Sequence, residues 1–512
     1  MRISAKRVSE LLAGSGEIAL LDVREQGVHY RGHPFFACSA PLSRLEMMVA
    51  DLVPRRSAPV VVLDSGEGLA ERALKKLNDL GYAEVSILEG GCAGWKDAGL
   101  ELFSGVNVPS KAFGEFVEHH YGTPRIAPGE LKRLQGIKKV LVLDSRPFEE
   151  YHRMNIPGGI DVPGAELAWR IADLAPHPDT LVVVNCAGRT RSIIGCQSLR
   201  NAGVPNPVAA LKDGTMGWEL AGFSCERGAA RVAPPPSEEG RRKALAAAEK
   251  VARRFGVRFC LSEEKRAWKK DASRTLYVLD VRTREEFERS HVAGSRHAPG
   301  GQLVQAADEY VGVRNARVVL VDPDLVRAIM TASWLNQMGW NDVYVLEDAE
   351  PTESGPRVPR IPGSPPWQTV LVIPFGATVL DFSTSLRFNQ RHIPGAWWVV
   401  RSRLDQVKEK LDESKSLILT SEDGVLAHLA APEVQALWPD AQVRVLEGGN
   451  ARWKGDWEAG TERATTALDD VWYKPYDHAA GFEKHAREYL EWEVALVEQI
   501  KRDPTIRFRA YS

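Results

Sequence analysis

The chain has 512 residues, a length that fits three or four domains at about 150 residues each. Apolar residues make up 44% and charged residues 26%, enough for several cores, and 66 Lys plus Arg against 68 Asp plus Glu leave a net charge of −2, which argues against a general polyanion binder. No apolar run approaches the ~20 residues that cross a bilayer. Met1 to Gly16 lacks the apolar core of a secretory signal, and six cysteines without paired spacing argue against a disulfide framework or a Cys-x-x-Cys site. The expectation is a cytoplasmic protein of several domains, with no membrane and no nucleic-acid partner.

The first predicted strand ends Leu20-Leu21-Asp22-Val23-Arg24, and His33-Pro34 follows eleven residues after the Asp. A second strand, Val60 to Leu63, stops at Asp64. A helical stretch from Leu69 to Leu80, ended by Gly81, leads to a third strand, Val85 to Leu88, and a Gly-rich turn closed by Trp95. This order then returns. Copy two reads Val142-Leu143-Asp144-Ser145-Arg146, Asn155-Ile156-Pro157-Gly158, Val182 to Asn185 with Cys186 next, a helix from Ser192 to Ala202, Val208 to Leu211 and Trp218. Copy three reads Val278-Leu279-Asp280-Val281-Arg282, His291-Val292-Ala293-Gly294, Val318 to Val321 with Asp322 next, and Val343 to Leu346, without the closing Trp. Copy four reads Val379-Leu380-Asp381-Phe382-Ser383, His392-Ile393-Pro394-Gly395, Leu417 to Thr420 with Ser421 next, Val443 to Leu446 and Trp453. The step from the strand-end Asp to the residue after the second strand is 42, 42, 42 and 40; chance does not hold two offsets through four copies.

Short Val/Leu runs alternating with helices predict an α/β fold, each copy a mainly parallel sheet flanked by helices. The predicted domains are 1–105, 123–228, 256–350 and 368–462, with a helical tail over 463–512. Val232 to Ser237 is a stiff Pro-rich break, and Pro351 to Trp367 is a second Pro-rich linker. Arg241 to Phe255 reads as an Ala-rich basic helix with a solvated face. In the tail, Phe482, Ala486, Tyr489, Leu490, Leu496, Val497 and Ile500 recur at helical spacing, which predicts a helix packed across the domains.

The segment Cys186-Ala187-Gly188-Arg189-Thr190-Arg191-Ser192 leaves a buried strand and enters a helix, where α/β sheets bind ligands. Its small residues let the backbone N–H groups of Ala187 to Ser192 turn inward as an anion nest, the helix N-terminus adds positive potential, and Arg189 and Arg191 add two charges. A cysteine in that field favours the thiolate, the nucleophilic form.

The strand-end Asp-x-Arg, the His-Ile-Pro-Gly-Ala turn, the Cys-x-x-x-x-Arg loop and the closing Gly-x-x-x-Trp together resemble the rhodanese family of sulfurtransferases, in particular bacterial proteins with four tandem rhodanese domains. The resemblance implies a thiosulfate sulfurtransferase without a cofactor or metal. Cys186 would carry sulfur as a persulfide taken from thiosulfate or a persulfide donor. The amides of Ala187, Gly188, Arg189, Thr190, Arg191 and Ser192 would cradle it, and the loop arginines would face the donor. The acceptor would be cyanide, glutathione or another thiol. Copies one, three and four carry Asp64, Asp322 and Ser421 at the cysteine position, which predicts inactive domains. Copy two has Asn155 where the others have His.

Blander readings stand beside these. Arg191 fits a structural salt bridge nearly as well as a substrate contact, and Arg146 with Glu150 reads as a structural ion pair. Asp22, Asp144, Asp280 and Asp381 are expected to bind backbone amides. The other five cysteines read as packing residues. Two alternatives compete: a Cys-loop phosphatase or arsenate reductase, disfavoured because its loop has five residues between Cys and Arg where this one has four, and a non-enzymatic scaffold.

Overall fold

The structure, a computed structural model, describes residues 1–137, 139–358, 361–363, 366–411 and 415–511; within the second Pro-rich linker, 359–360 and 364–365 lie outside the described residues. Each copy builds one sheet in the same spatial order: first, fifth, fourth, second and third strand. In copy two these are Arg125–Ile126, Val208–Leu211, Leu181–Asn185, Val140–Asp144 and Ile160–Asp161, all parallel. The strand leading to the cysteine position is therefore central and flanked on both sides, which is why it reads as an unbroken Val run. The predicted helices appear as Leu69–Asp79 and Thr190–Asn201, with Gly81 (φ +86°) and Gly203 (φ +70°) in the left-handed conformation that stops them.

The four copies are not beads on a string. Copy one's sheet takes a sixth strand from copy three: Val313–Arg314 runs antiparallel to Ile18–Asp22. One apolar core runs continuously through copies one and three and takes in the helices Val108–Tyr121 and Glu238–Arg254. The second of these keeps the solvated basic face expected of it and has a buried face besides. It begins at the Ser237 cap, and its Ala244, Ala248, Val251 and Ala252 face is buried, packed against helices Glu166–Leu174 and Val326–Gln337. Its basic residues point outward, so the alanines decided its placement. Copies one and four meet through Arg401, which binds both Glu46 and Glu433.

The repeated strand-end signature has one physical job. Arg24, Arg146 and Arg282 each fork onto their own Asp two residues earlier and donate to the carbonyl of Gly32, Met154 or Ser290, the residue before the repeated turn. The Asp also accepts the backbone N–H of the residue two further on, as expected. In copy four, where Ser383 replaces Arg, Asn450 reaches Asp381 instead. The turn histidines His33, His291 and His392 bond the carbonyl four residues back, and Asn155 keeps that bond with its amide at 3.3 Å.

The tail forms a helix over Phe482–Gln499 with Ala486, Tyr489, Leu490 and Leu496 buried. Its main partner is helix Val108–Tyr121, and Tyr489 and Leu490 lie over the loop that follows Cys186. No described helix is long and apolar enough to cross a membrane.

Candidate active site

Cys186 sits at the carboxyl end of the central strand of copy two, 2% exposed. The loop after it is held from below. Thr215 and Met216, at the start of helix Gly214–Leu220, donate their N–H groups to the carbonyls of Cys186 and Ala187 at 2.9 and 3.0 Å. Gly214 (φ +56°) makes this approach possible, because a Cβ there would overlap the Cys186 carbonyl oxygen. Gly91 and Gly449 do the same beneath Asp64 and Ser421. Cradling this carbonyl is what the closing Gly-rich turn is for. Copy three lacks the turn.

With its carbonyls turned toward that helix, the loop leaves its amides open on the other side. Among the described residues, no backbone carbonyl accepts the N–H groups of Ala187 to Ser192. Copy one displays what such amides hold. Asp64 accepts from Gly66 N–H at 2.9 Å and Ala70 N–H at 3.0 Å, two and six residues on. Ser421 accepts from Ala427, again six residues on, and Asp322 accepts from Asp324 and Arg327. The matching donors in copy two are the N–H groups of Gly188 and Ser192. In copies one and three the chain fills its own anion nest with a carboxylate. In copy two the residue there is a thiol, which lies 3.5 Å from the Ser192 hydroxyl; that hydroxyl donates to the Arg189 carbonyl.

Neither loop arginine is a free charge: Arg189 departs from the expectation, and Arg191 takes the salt bridge that is its other reading. Arg189 lines the cavity beside Cys186, but its guanidinium binds Glu115 at 2.6 and 2.8 Å, Glu118 at 2.5 Å and Asp213 at 3.1 Å. It brings no net positive charge. Asp213 stands where copies one and four have Gly90 and Gly448, and it keeps their left-handed backbone (φ +61°) while offering its carboxylate to Arg189. Arg191 forks onto Glu150 at 2.9 and 2.8 Å and touches Gln302 of copy three. Burial opposes the Glu150 charge, but Arg191 wins and holds this carboxyl well below its ordinary range. The expected Arg146–Glu150 pair is thus replaced by Arg146–Asp144 and Arg191–Glu150.

The sequence reading missed how much of the site other segments supply. A cavity of about 270 Å³ opens beside Cys186. Copy one contributes Gln26, the helix before copy two Lys111, copy three Gln302 and Glu309, and the tail Trp472, Lys474, Tyr476 and Tyr489. Above the loop, Glu493 of the tail helix is fully buried. It accepts from Thr190 Oγ1 at 3.1 Å and Tyr489 at 3.0 Å and pairs with Lys111 at 3.2 Å. Helical periodicity announced the tail helix, but nothing local in the sequence says which surface it covers.

The other cysteines are unsuited to attack. Burial pushes the Cys92, Cys196, Cys225 and Cys260 thiols up to about 12, and Cys38 higher still. Among the described residues, no group of His, Cys, Asp and Glu side chains could hold a metal ion.

Comparison with known proteins agrees with this geometry. The rhodanese-like domain model matches residues 4–98, 127–221, 263–349 and 371–456. The crystal structure of a thiosulfate sulfurtransferase from Pseudomonas aeruginosa is 46% identical, covering 100% of this chain and 99% of that one, with a TM-score of 0.95. An HTH-type transcriptional regulator of Mycobacterium tuberculosis, Rv0324, is 36% identical over 110 residues, which is 21% of this chain and about half (48%) of the regulator's length. Four matched segments spanning most of the sequence, on four sheets of one topology, mean that this chain belongs to the rhodanese-like domain family and carries four such domains in tandem.

Proposed function

We propose that the protein is a sulfurtransferase that moves a sulfane sulfur from thiosulfate or a persulfide to a thiophilic acceptor through a persulfide on Cys186. One observation carries the reading. Of four equivalent strand ends, only that of copy two places a thiol where the others place Asp64, Asp322 and Ser421. The name of the Pseudomonas aeruginosa relative supports it.

In the first step the Cys186 thiolate attacks the outer sulfur of thiosulfate. The new S–S bond forms as the old one breaks, and its electron pair leaves on sulfite. The open amides of Gly188 and Ser192 face charge that stays near Sγ throughout, a pre-set stabilisation of the kind that needs no reorganisation. In the second step the acceptor attacks the outer sulfur of the persulfide, and the electron pair returns to Sγ. With cyanide the product is thiocyanate. Copies one, three and four act as structural neighbours, because a carboxylate already occupies the nest in two of them and a hydroxyl in the third.

Mass spectrometry of the purified protein mixed with thiosulfate tests this reading. A single added sulfur on Cys186, absent in Cys186→Ser, is the expected result. Phosphoryl transfer from a model phosphate ester without any sulfur adduct would support the phosphatase alternative, and neither activity would leave a scaffold.

A further inference from the structure

The cavity beside Cys186 is larger than the donor needs. A water-sized atom requires about 10–15 Å³ of such space, so about 270 Å³ seats well over a dozen, against the five non-hydrogen atoms of thiosulfate. One wall of it comes from the tail, outside the four family domains. That wall is built and held. Tyr476 is pinned by a 3.0 Å hydrogen bond to Thr215, the residue whose N–H holds the Cys186 carbonyl. Trp472 stacks between Tyr30 and Tyr489, with ring centroids 5.6 and 5.8 Å away, and its N–H donates to Gln26. These mutually packed rings, with few free rotamers, give the cavity a rigid apolar wall for an organic skeleton.

The charge on that wall is selective. Lys111 is paired with Glu493 and Arg153 with Asp477. Lys474 lines the same cavity and is exposed, and among the described residues its ammonium has no carboxylate within salt-bridge distance. Its field reaches Glu150 across the cavity and helps hold that carboxyl ionised. An open cation at the mouth of an aromatic wall suits a carboxylate.

We infer that the tail wall formed by Trp472, Lys474, Tyr476 and Tyr489 is the acceptor subsite, and that it takes a low-molecular-weight thiol bearing carboxylates. This rests on the sulfurtransferase reading above. A folded protein acceptor is excluded by access, since Cys186 is 2% exposed and Tyr489 and Leu490 lie over its loop. The step balances. The acceptor thiol sulfur bonds the outer sulfur of the Cys186 persulfide anion, the Sγ–S bond breaks with its pair onto Sγ, and the thiol proton leaves on the product persulfide.

The test uses the full chain and two acceptors, glutathione with its two carboxylates and uncharged 2-mercaptoethanol. The readout is the ratio of their kcat/KM values. Lys474 is exposed, so its replacement does not threaten the fold. Lys474→Ala should lower the glutathione-to-mercaptoethanol ratio about threefold, the worth of one exposed ion pair, and Lys474→Glu about tenfold. An unchanged ratio in both variants overturns the subsite. Persulfide on Cys186 is measured on the same protein with thiosulfate and with inorganic polysulfide. If it forms while the ratio stays fixed, sulfurtransfer stands and the subsite fails; if it never forms, both fail.

Discussion

Replacing Gly214 by alanine should slow persulfide formation far more than it lowers stability. The backbone there has φ +56°, a conformation that costs an L-residue about 1–2 kcal/mol. A Cβ would also lie 2.8 Å from both the Gly188 oxygen and the Ala187 carbonyl carbon, and closer still to the Cys186 carbonyl oxygen. All three atoms are backbone of the reactive loop, so the loop must move by several tenths of an ångström. A misplacement of about 1 Å can cost about 100-fold in rate, so a loss of roughly 10- to 100-fold is expected. Gly203→Ala is the control. Its φ of +70° carries the same strain, but nothing lies within 4 Å of the added methyl. Both variants should lose the Tm that this backbone strain costs, and Gly214→Ala should lose more by the cost of its clash. In single-turnover mixing with thiosulfate, only Gly214→Ala should be slow. Equal rates in the two variants would refute the claim that this turn sets the loop geometry.

Other perturbations separate structural from chemical roles. Arg189→Ala leaves Glu115, Glu118 and Asp213 facing one another, so it should destabilise by about 3–5 kcal/mol and slow every donor alike; partial rescue of Tm by adding Glu115→Gln is expected, whereas a loss confined to thiosulfate at unchanged Tm would return Arg189 to reading donor charge. A fragment of residues 123–228 lacks Glu115, Glu118 and the tail, so it should be inert or aggregate by light scattering and persulfide assay; a folded fragment that takes up sulfur would overturn the composite site. Burial raises the Glu25 carboxyl to about 7 at the contact where it bridges Ser43 and Ser402. The folded state then holds a proton that the unfolded state has lost, so stability falls as pH rises from about 4.5 through about 7; Glu25→Gln should match the parent's Tm at pH 4.5 and exceed it at pH 8.

The repeat, the α/β class and Cys186 were legible in the sequence because each rests on short-range chemistry. Glycine stops and the Asp-x-Arg fork lie within a dozen residues of their partners, strand runs show in their own Val/Leu pattern, and a thiol at a strand end is visible against two aspartates and a serine. Long-range contacts decided the rest. Nothing near Arg189 in the chain tells that Glu115 and Glu118, more than seventy residues earlier, neutralise it. Val313–Arg314 joins a sheet almost three hundred residues upstream, through backbone groups whose pairing carries no side-chain signature. The alanine face of Glu238–Arg254 could have met solvent or protein, and only packing of copies two and three settled it. Likewise the sequence determined that the tail has a helix with an apolar face, while the tertiary structure alone placed Tyr489 and Glu493 over the loop after Cys186, because the identity of a buried face's partner is fixed by the whole fold and not by the residues that form it.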